Sequence, residues 1–97
     1  MTINKKLNGT TLTIALEGRL DTTTAPELEK ELVGLDNVTE LIMDMEKLDY
    51  ISSAGLRVLL SAHKTMLKKG SMKVQHVNEL VMEVFEVTGF ADILTIE

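Results

Sequence analysis

Two adjacent hydroxyls, Ser52 and Ser53, followed by the small residues Ala54 and Gly55, are the side chains of this sequence best placed for chemistry. They stand between an apolar run, Leu41-Ile-Met-Asp-Met45, and an apolar-periodic segment that begins at Leu56. A strand, a short loop and a serine at a helix start make a place where a phosphate can sit. The positive end of the helix dipole and the unpaired N–H groups of the first turn both favour an anion there. The plainer role for a serine at that point is a helix N-cap, for which Ser is among the favoured residues. A catalytic serine would need an activating base held by a third group. The chain has two histidines, His63 and His76, and no Gly-x-Ser-x-Gly elbow, so an enzyme built on Ser53 is not expected. Neither histidine has a ligand partner at metal spacing, so both read as packing or surface residues. No glycine-rich phosphate loop is present either.

The composition narrows the remaining options. Ninety-seven residues suit one domain, 1–97, and 44% hydrophobic residues suffice for a core. Aromatic residues make up only 3%, so that core must be aliphatic and rich in methionine. There is no cysteine, which excludes disulfides and thiolate metal sites. No apolar run is long enough to cross a bilayer, and the start, Met-Thr-Ile-Asn-Lys-Lys, lacks the apolar stretch of a signal peptide. A cytoplasmic monomer with no membrane insertion is the expectation. The net charge of −5 argues against a nucleic-acid partner. The densest basic group, Lys64, Lys68, Lys69 and Lys73, reads as a solvated helix end, where cations suit the dipole.

Around the serine pair, the pattern predicts an α/β domain. Asn8-Gly9 is a tight-turn signal between the Ile3–Leu7 segment and a clean alternation over Thr11–Glu17, which predicts an N-terminal hairpin. The segment Gly18-Arg-Leu-Asp21 leaves that strand, and Thr22–Thr24 form a loop. Thr24 and Glu27 match a capping box with Pro26 in the first turn, opening a helix that carries Leu28, Leu32 and Leu35 and ends near Asp36-Asn37. Val38–Met45 reads as a strand covered on both faces, because Leu41-Ile-Met43 shows no alternation. A loop, Glu46–Ser52, leads to a helix from about Ala54 to Lys69. That helix should bury Leu56, Leu59, Leu60, His63, Met66 and Leu67 and stop at Gly70. Met72–Val77 is the next strand. Asn78 should cap a helix over Glu79–Thr88, with Leu80, Val81, Val84 and Phe85 inward and Gly89 at its end. Phe90–Ile96 could add a short strand. The order predicts a mixed, mostly parallel sheet of four to five strands with three to four helices. Its functional loops, Leu20–Thr24, Glu46–Ser53 and Val77–Asn78, should gather at the carboxyl ends of the parallel strands.

Three pieces in this order, Gly18-Arg-Leu-Asp21, Leu41-Ile-Met-Asp44 and Ile51-Ser-Ser-Ala-Gly-Leu56, resemble the STAS-domain anti-sigma factor antagonists of bacteria. The resemblance covers nearly the whole chain, in element order and in length. It implies a partner-switching regulator rather than an enzyme, with no cofactor. Unphosphorylated members bind an anti-sigma factor that is also a serine kinase, and so free a sigma factor. The kinase phosphorylates one serine at the start of the helix after the third strand, which breaks the complex. A PP2C-like, metal-dependent serine phosphatase resets it. Aligned on Gly55-Leu56, the phosphorylated position falls on Ser53, with Ser52 the second choice, and two acidic positions near it fall on Asp21 and Asp44.

The match is not complete. The best-known branch has Asp where this chain has Ser52, Ser or Thr where it has Ala54, and often Gly where it has Arg57. These changes leave the target hydroxyl in place. Asp21 and Asp44 could equally be loop and strand-end residues bonded to nearby N–H groups. Ala54, Gly55, Leu56 and Arg57 are the residues expected to shape the site or touch a partner, with Arg57 the foremost contact. The same fold also occurs in a non-switching form, as the small STAS subunit of a bacterial lipid-transport complex, which is the alternative function.

Overall fold

Gly9 supplies the left-handed φ of +64° that turns the chain after its first strand. The strands on either side, β1 (Thr2–Asn8) and β2 (Thr11–Leu20), pair antiparallel from Thr2 opposite Glu17 to Asn8 opposite Thr11. The computed structural model describes residues 1–97. After the hairpin come α1 (Ala25–Glu31), β3 (Glu40–Ile51), α2 (Ser53–Leu67), β4 (Ser71–Gln75), α3 (Glu79–Thr88) and one 3₁₀ turn, Phe90–Asp92. The last three strands pair parallel, and the sheet order is β1-β2-β3-β4. This is the expected mixed α/β sheet. The Phe90–Ile96 segment forms no fifth strand, since only Ile96 bridges to Val74.

Each parallel crossover steps one strand in the same direction. Right-handed crossovers that do so lay their helices on one face of the sheet. The side chains agree. Leu12, Leu41 and Met72 lie side by side in register, as do Ile14, Met43 and Val74, and all six are buried. Thr13, Ile42 and Lys73, on the opposite face, are only half-buried. The run Leu41-Ile-Met43 is therefore not covered on both faces. A short apolar run looks the same whether it alternates or is wholly buried, and only the helix placement separates the two.

Two strands run on past their apolar signal. β2 continues through Gly18-Arg-Leu20, and β3 through Glu46–Ile51, a stretch that reads as loop in the sequence. Register shifts between Ala15 and Glu17 and between Gly18 and Arg19 accommodate the pairing, with Gly18 at φ +102°. Such bulges bend a strand and re-aim its side chains. Here buried Leu20, Leu48 and Ile51 extend the core to the start of α2.

The helices also differ in detail from their sequence signals. α1 ends at Glu31, and Leu35 is buried from the loop beyond it. Within α2, Val58 and Ala62 are buried while Leu67 faces solvent. Gly70 follows α2 for a packing reason, since a Cβ there would overlap the Thr39 carbonyl oxygen. α3 matches its prediction at both ends, with Asn78 at the start and Gly89 at φ +85° closing it. Its Val81 and Phe85 are fully buried, but Leu80 is 55% exposed.

Candidate functional site

Ser52 is the single residue between β3 and α2, and its bonds decide which of the two serines is the cap. Its backbone is extended, with φ −100° and ψ 176°, its N–H donates to the Leu20 carbonyl at 2.9 Å, and its own carbonyl accepts from Leu56 N–H at 2.9 Å. Its hydroxyl accepts from Gly55 N–H at 3.4 Å, a long cap bond. Ser53 is then the first residue inside the helix. It is exposed, and its hydroxyl is not the capping group. The helix start is also held by shape. A Cβ at Gly55 would lie 2.7 Å from Leu20 Cγ and 2.9 Å from Ile51 Cγ1, so the backbone of α2 rests directly on these side chains. Leu56, the next residue, is buried and belongs to the core.

The loop that leads into α1 is organised by Asp21. Its Oδ1 accepts from the Thr23 hydroxyl at 2.7 Å, Thr23 N–H at 3.0 Å and Thr24 N–H at 3.2 Å. The Thr23 hydroxyl is the main cause that holds the carboxyl at about 2, and the two N–H groups add to it against a partial loss of solvent. The expected Thr24–Glu27 capping box does not form. Thr24 Oγ1 instead donates to the Arg19 carbonyl at 2.7 Å and accepts from Asp21 N–H at 2.8 Å. Arg19 stacks 4.3 Å from the centre of the Tyr50 ring, with Nε 3.7 Å from Asp21 Oδ2. The loop so shaped forms one wall of an open groove of about 320 Å³. Thr22, Pro26 and Glu29 face Ala54, Arg57 and Val58 across it. Arg57 is exposed and has no carboxylate within ion-pair distance.

Asp44 stands apart from this groove. It lies on the open face of the sheet, and its partners are His76 Nδ1 at 2.9 Å and Glu46 N–H at 3.1 Å. None of them belongs to α2. Burial raises its pKa, but the His76 bond, the Glu46 N–H and the charges of His76 and Lys47 outweigh that and lower it overall. The same contact raises the pKa of His76. His76 takes a left-handed φ of +59°, uncommon for a residue with a side chain, as β4 gives way to α3. Asp44, Glu46 and His76 each present a ligand atom within 4.8 Å of the others, so this cluster could hold a divalent cation. The spacing of the sequence hides it, because β3–β4 pairing is what brings His76 to Asp44.

The chain also aligns as a whole with one family model, that of the STAS domain, over residues 2–97. This protein belongs to the STAS-domain family. It is 36% identical to the Bordetella bronchiseptica protein BtrV over 88 residues, which span 88% of this chain and 76% of that one. It is 29% identical to the anti-sigma-B factor antagonist of Bacillus subtilis over 96 residues, which span 97% of this chain and 88% of that one. The fold matches that of the anti-sigma factor antagonist SpoIIAA in its unphosphorylated form, with a TM-score of 0.77 at 17% identity over 99% of this chain and 87% of that one. The phosphorylated form of SpoIIAA, from Bacillus, matches with the same TM-score of 0.77 at 18% identity, over 99% and 91% of the two chains.

Within this STAS domain the structure brings together the Asp21 loop, Ala54 and Arg57 around the start of α2. It does not bring Asp44 there. Thr22 of the groove lies in the expected Leu20–Thr24 loop, while sequence reasoning missed that Ala25, Pro26 and Glu29 of α1 would line the facing wall, a role to which their types and spacing do not point. No helix is long and apolar enough to cross a membrane.

Proposed function

We propose that this STAS domain is an anti-sigma factor antagonist, which binds an anti-sigma factor with serine kinase activity through the surface around the start of α2 and is released when Ser53 is phosphorylated. The observation that carries this reading is the division of labour between the two serines. Ser52 is half-buried and spends its hydroxyl on the cap, while Ser53 is exposed, is not the cap, and adjoins Ala54, which lines an open groove. A phosphate there adds a charge of about −1.5 to −2 at the positive end of a helix, so the fold should tolerate it. The same charge on a surface that must meet a partner acts by repulsion and by its cost of desolvation. The switch then needs no rearrangement of this domain. The kinase supplies the chemistry, a PP2C-like phosphatase reverses it, and Asp21 serves by shaping the loop beside the groove. A cytoplasmic location belongs to the same reading.

The test uses the wild-type, Ser53→Ala and Ser53→Asp proteins as baits in a native lysate. Wild type and Ser53→Ala should retain an ATPase of the histidine-kinase-like class, and that ATPase with ATP should phosphorylate wild type at Ser53 alone. Ser53→Asp should bind it about 100-fold more weakly, equivalent to about 3 kcal/mol. Equal retention of one partner by all three proteins would overturn the switch. A transporter ATPase as that partner would move the lipid-transport subunit ahead.

A further inference from the structure

Arg57 is the cation nearest in sequence to Ser53 on the same helix, and its position is specific. In an α-helix successive residues turn by about 100°, so residue 57 projects about 40° from residue 53, one turn further on. Side chains four apart are neighbours, with Cβ atoms about 5–6 Å apart. The Cα–Cβ bonds of a helix tilt toward its N-terminus, so the long Arg57 side chain starts out toward the turn that holds Ser53. The order also suits the helix, because an anion four residues before a cation is the more favourable arrangement. Arg57 is exposed and joins no ion pair, so no partner must be given up. The only carboxylate on the facing wall of the groove is Glu29, and it is not within ion-pair distance of Arg57.

We propose that Arg57 captures the phosphate of phosphorylated Ser53 within the same chain, its guanidinium binding two phosphate oxygens across one turn of α2. This rests on the reading of Ser53 as the phosphorylated residue. It adds a second half to the switch. In the unphosphorylated protein Arg57 stands free beside the groove, available to a carboxylate of the partner. Phosphorylation adds a dianion and at the same time withdraws that cation. A planar guanidinium suits the task because it pairs with two oxygens at once, whereas a lysine offers a single point of charge.

The test installs phosphoserine at position 53 of the full chain by genetic encoding, so it does not depend on any kinase. The second ionisation of the phosphate, near pH 6 when unperturbed, is followed by ³¹P NMR. The helix dipole lowers this pKa in every variant, so the comparison lies between variants. Arg57→Gln should raise it by about half a unit, and Arg57→Lys should give a smaller rise. Lys64→Gln, which removes a cation elsewhere on the helix, should leave it unchanged. Equal titrations in wild type and Arg57→Gln would overturn the capture, whatever a kinase does. Conversely, a kinase assay that finds Ser53 unmodified would sink the switch while the NMR shift still reported the pairing. The partner-side half is read on unphosphorylated protein. Arg57→Gln should weaken binding of the retained ATPase about 10-fold, and unchanged affinity would overturn the withdrawal of Arg57 as part of release.

Discussion

The starts of α2 and α3 are the same device finished in two ways. Both follow a parallel strand, and both open on a polar residue with an extended backbone, Ser52 at φ −100°, ψ 176° and Asn78 at φ −77°, ψ 170°. At α3 the cap is closed twice. Asn78 Oδ1 accepts from Val81 N–H at 2.8 Å, Nδ2 donates to the Leu48 carbonyl at 2.7 Å, and Glu79 adds a carboxylate to the first turn. At α2 the cap bond is 3.4 Å long and the first turn holds no acidic residue. What holds α2 in place is contact, Gly55 against Leu20 and Ile51. One helix start is completed by its own residues. The other is positioned sterically and left electrostatically open, which is what a site for an added negative charge requires.

The comparison makes predictions that can be broken one at a time, beginning with the steric one. Gly55→Val should cost about 3 kcal/mol in urea denaturation, the upper range for overpacking, because the new side chain enters Leu20 and Ile51. A cost under about 1 kcal/mol would mean that packing does not position α2. Asn78→Ala should cost about 2 kcal/mol, combining a lost cap with an unpaired Leu48 carbonyl. Ser52→Ala should cost only about 0.5 kcal/mol, since the bond it removes is long. If Ser52→Ala proved as costly as Asn78→Ala, the two starts would be equally closed and the contrast would fail.

The smallest expected effect separates the two regions by pH. His76, two residues before Asn78, has a raised pKa, so its bond to Asp44 is at full strength below its ordinary value of 6.5 and weakens as pH rises through the raised value. Asp44, with a lowered pKa, loses its share only as pH falls below 3.8. The α3 side should therefore loosen modestly as pH rises through that raised value. Asp21, on the α2 side, keeps its contribution until the pH drops from 3.8 toward about 2. Site-resolved amide exchange between pH 5 and pH 9 should show the change at residues 76–80, after correction for intrinsic rates, and not at residues 21–24. His76→Gln should abolish it.

Much of this was legible along the chain because it depends on local chemistry. The Asn8-Gly9 turn, the alternation of Leu12, Ile14 and Leu16, and the Asn78 and Gly89 boundaries of α3 are set by backbone preferences that a few neighbours determine. The same local rules failed where another partner, near or distant in the chain, competed. Thr24 carries the capping-box pattern, but the Arg19 carbonyl and Asp21 N–H take its hydroxyl. Glu46–Ile51 lacks a strand signal, yet the parallel edge of β2 pairs with it across two register shifts. Leu80 and Leu67 fit an apolar helical face, but the sheet reaches neither.

The sequence by itself determined the element order, the family pattern and the presence of two adjacent hydroxyls where a strand meets a helix. It could not say which hydroxyl was free, because a cap is defined by where the helix begins, and that was decided by Ile51 and Leu20 meeting the backbone of Gly55. Nor could it place Arg57 beside a groove or His76 beside Asp44, since both depend on elements distant in the chain. Local preference follows from each residue and its neighbours. Access and pairing follow from which surfaces the core brings together.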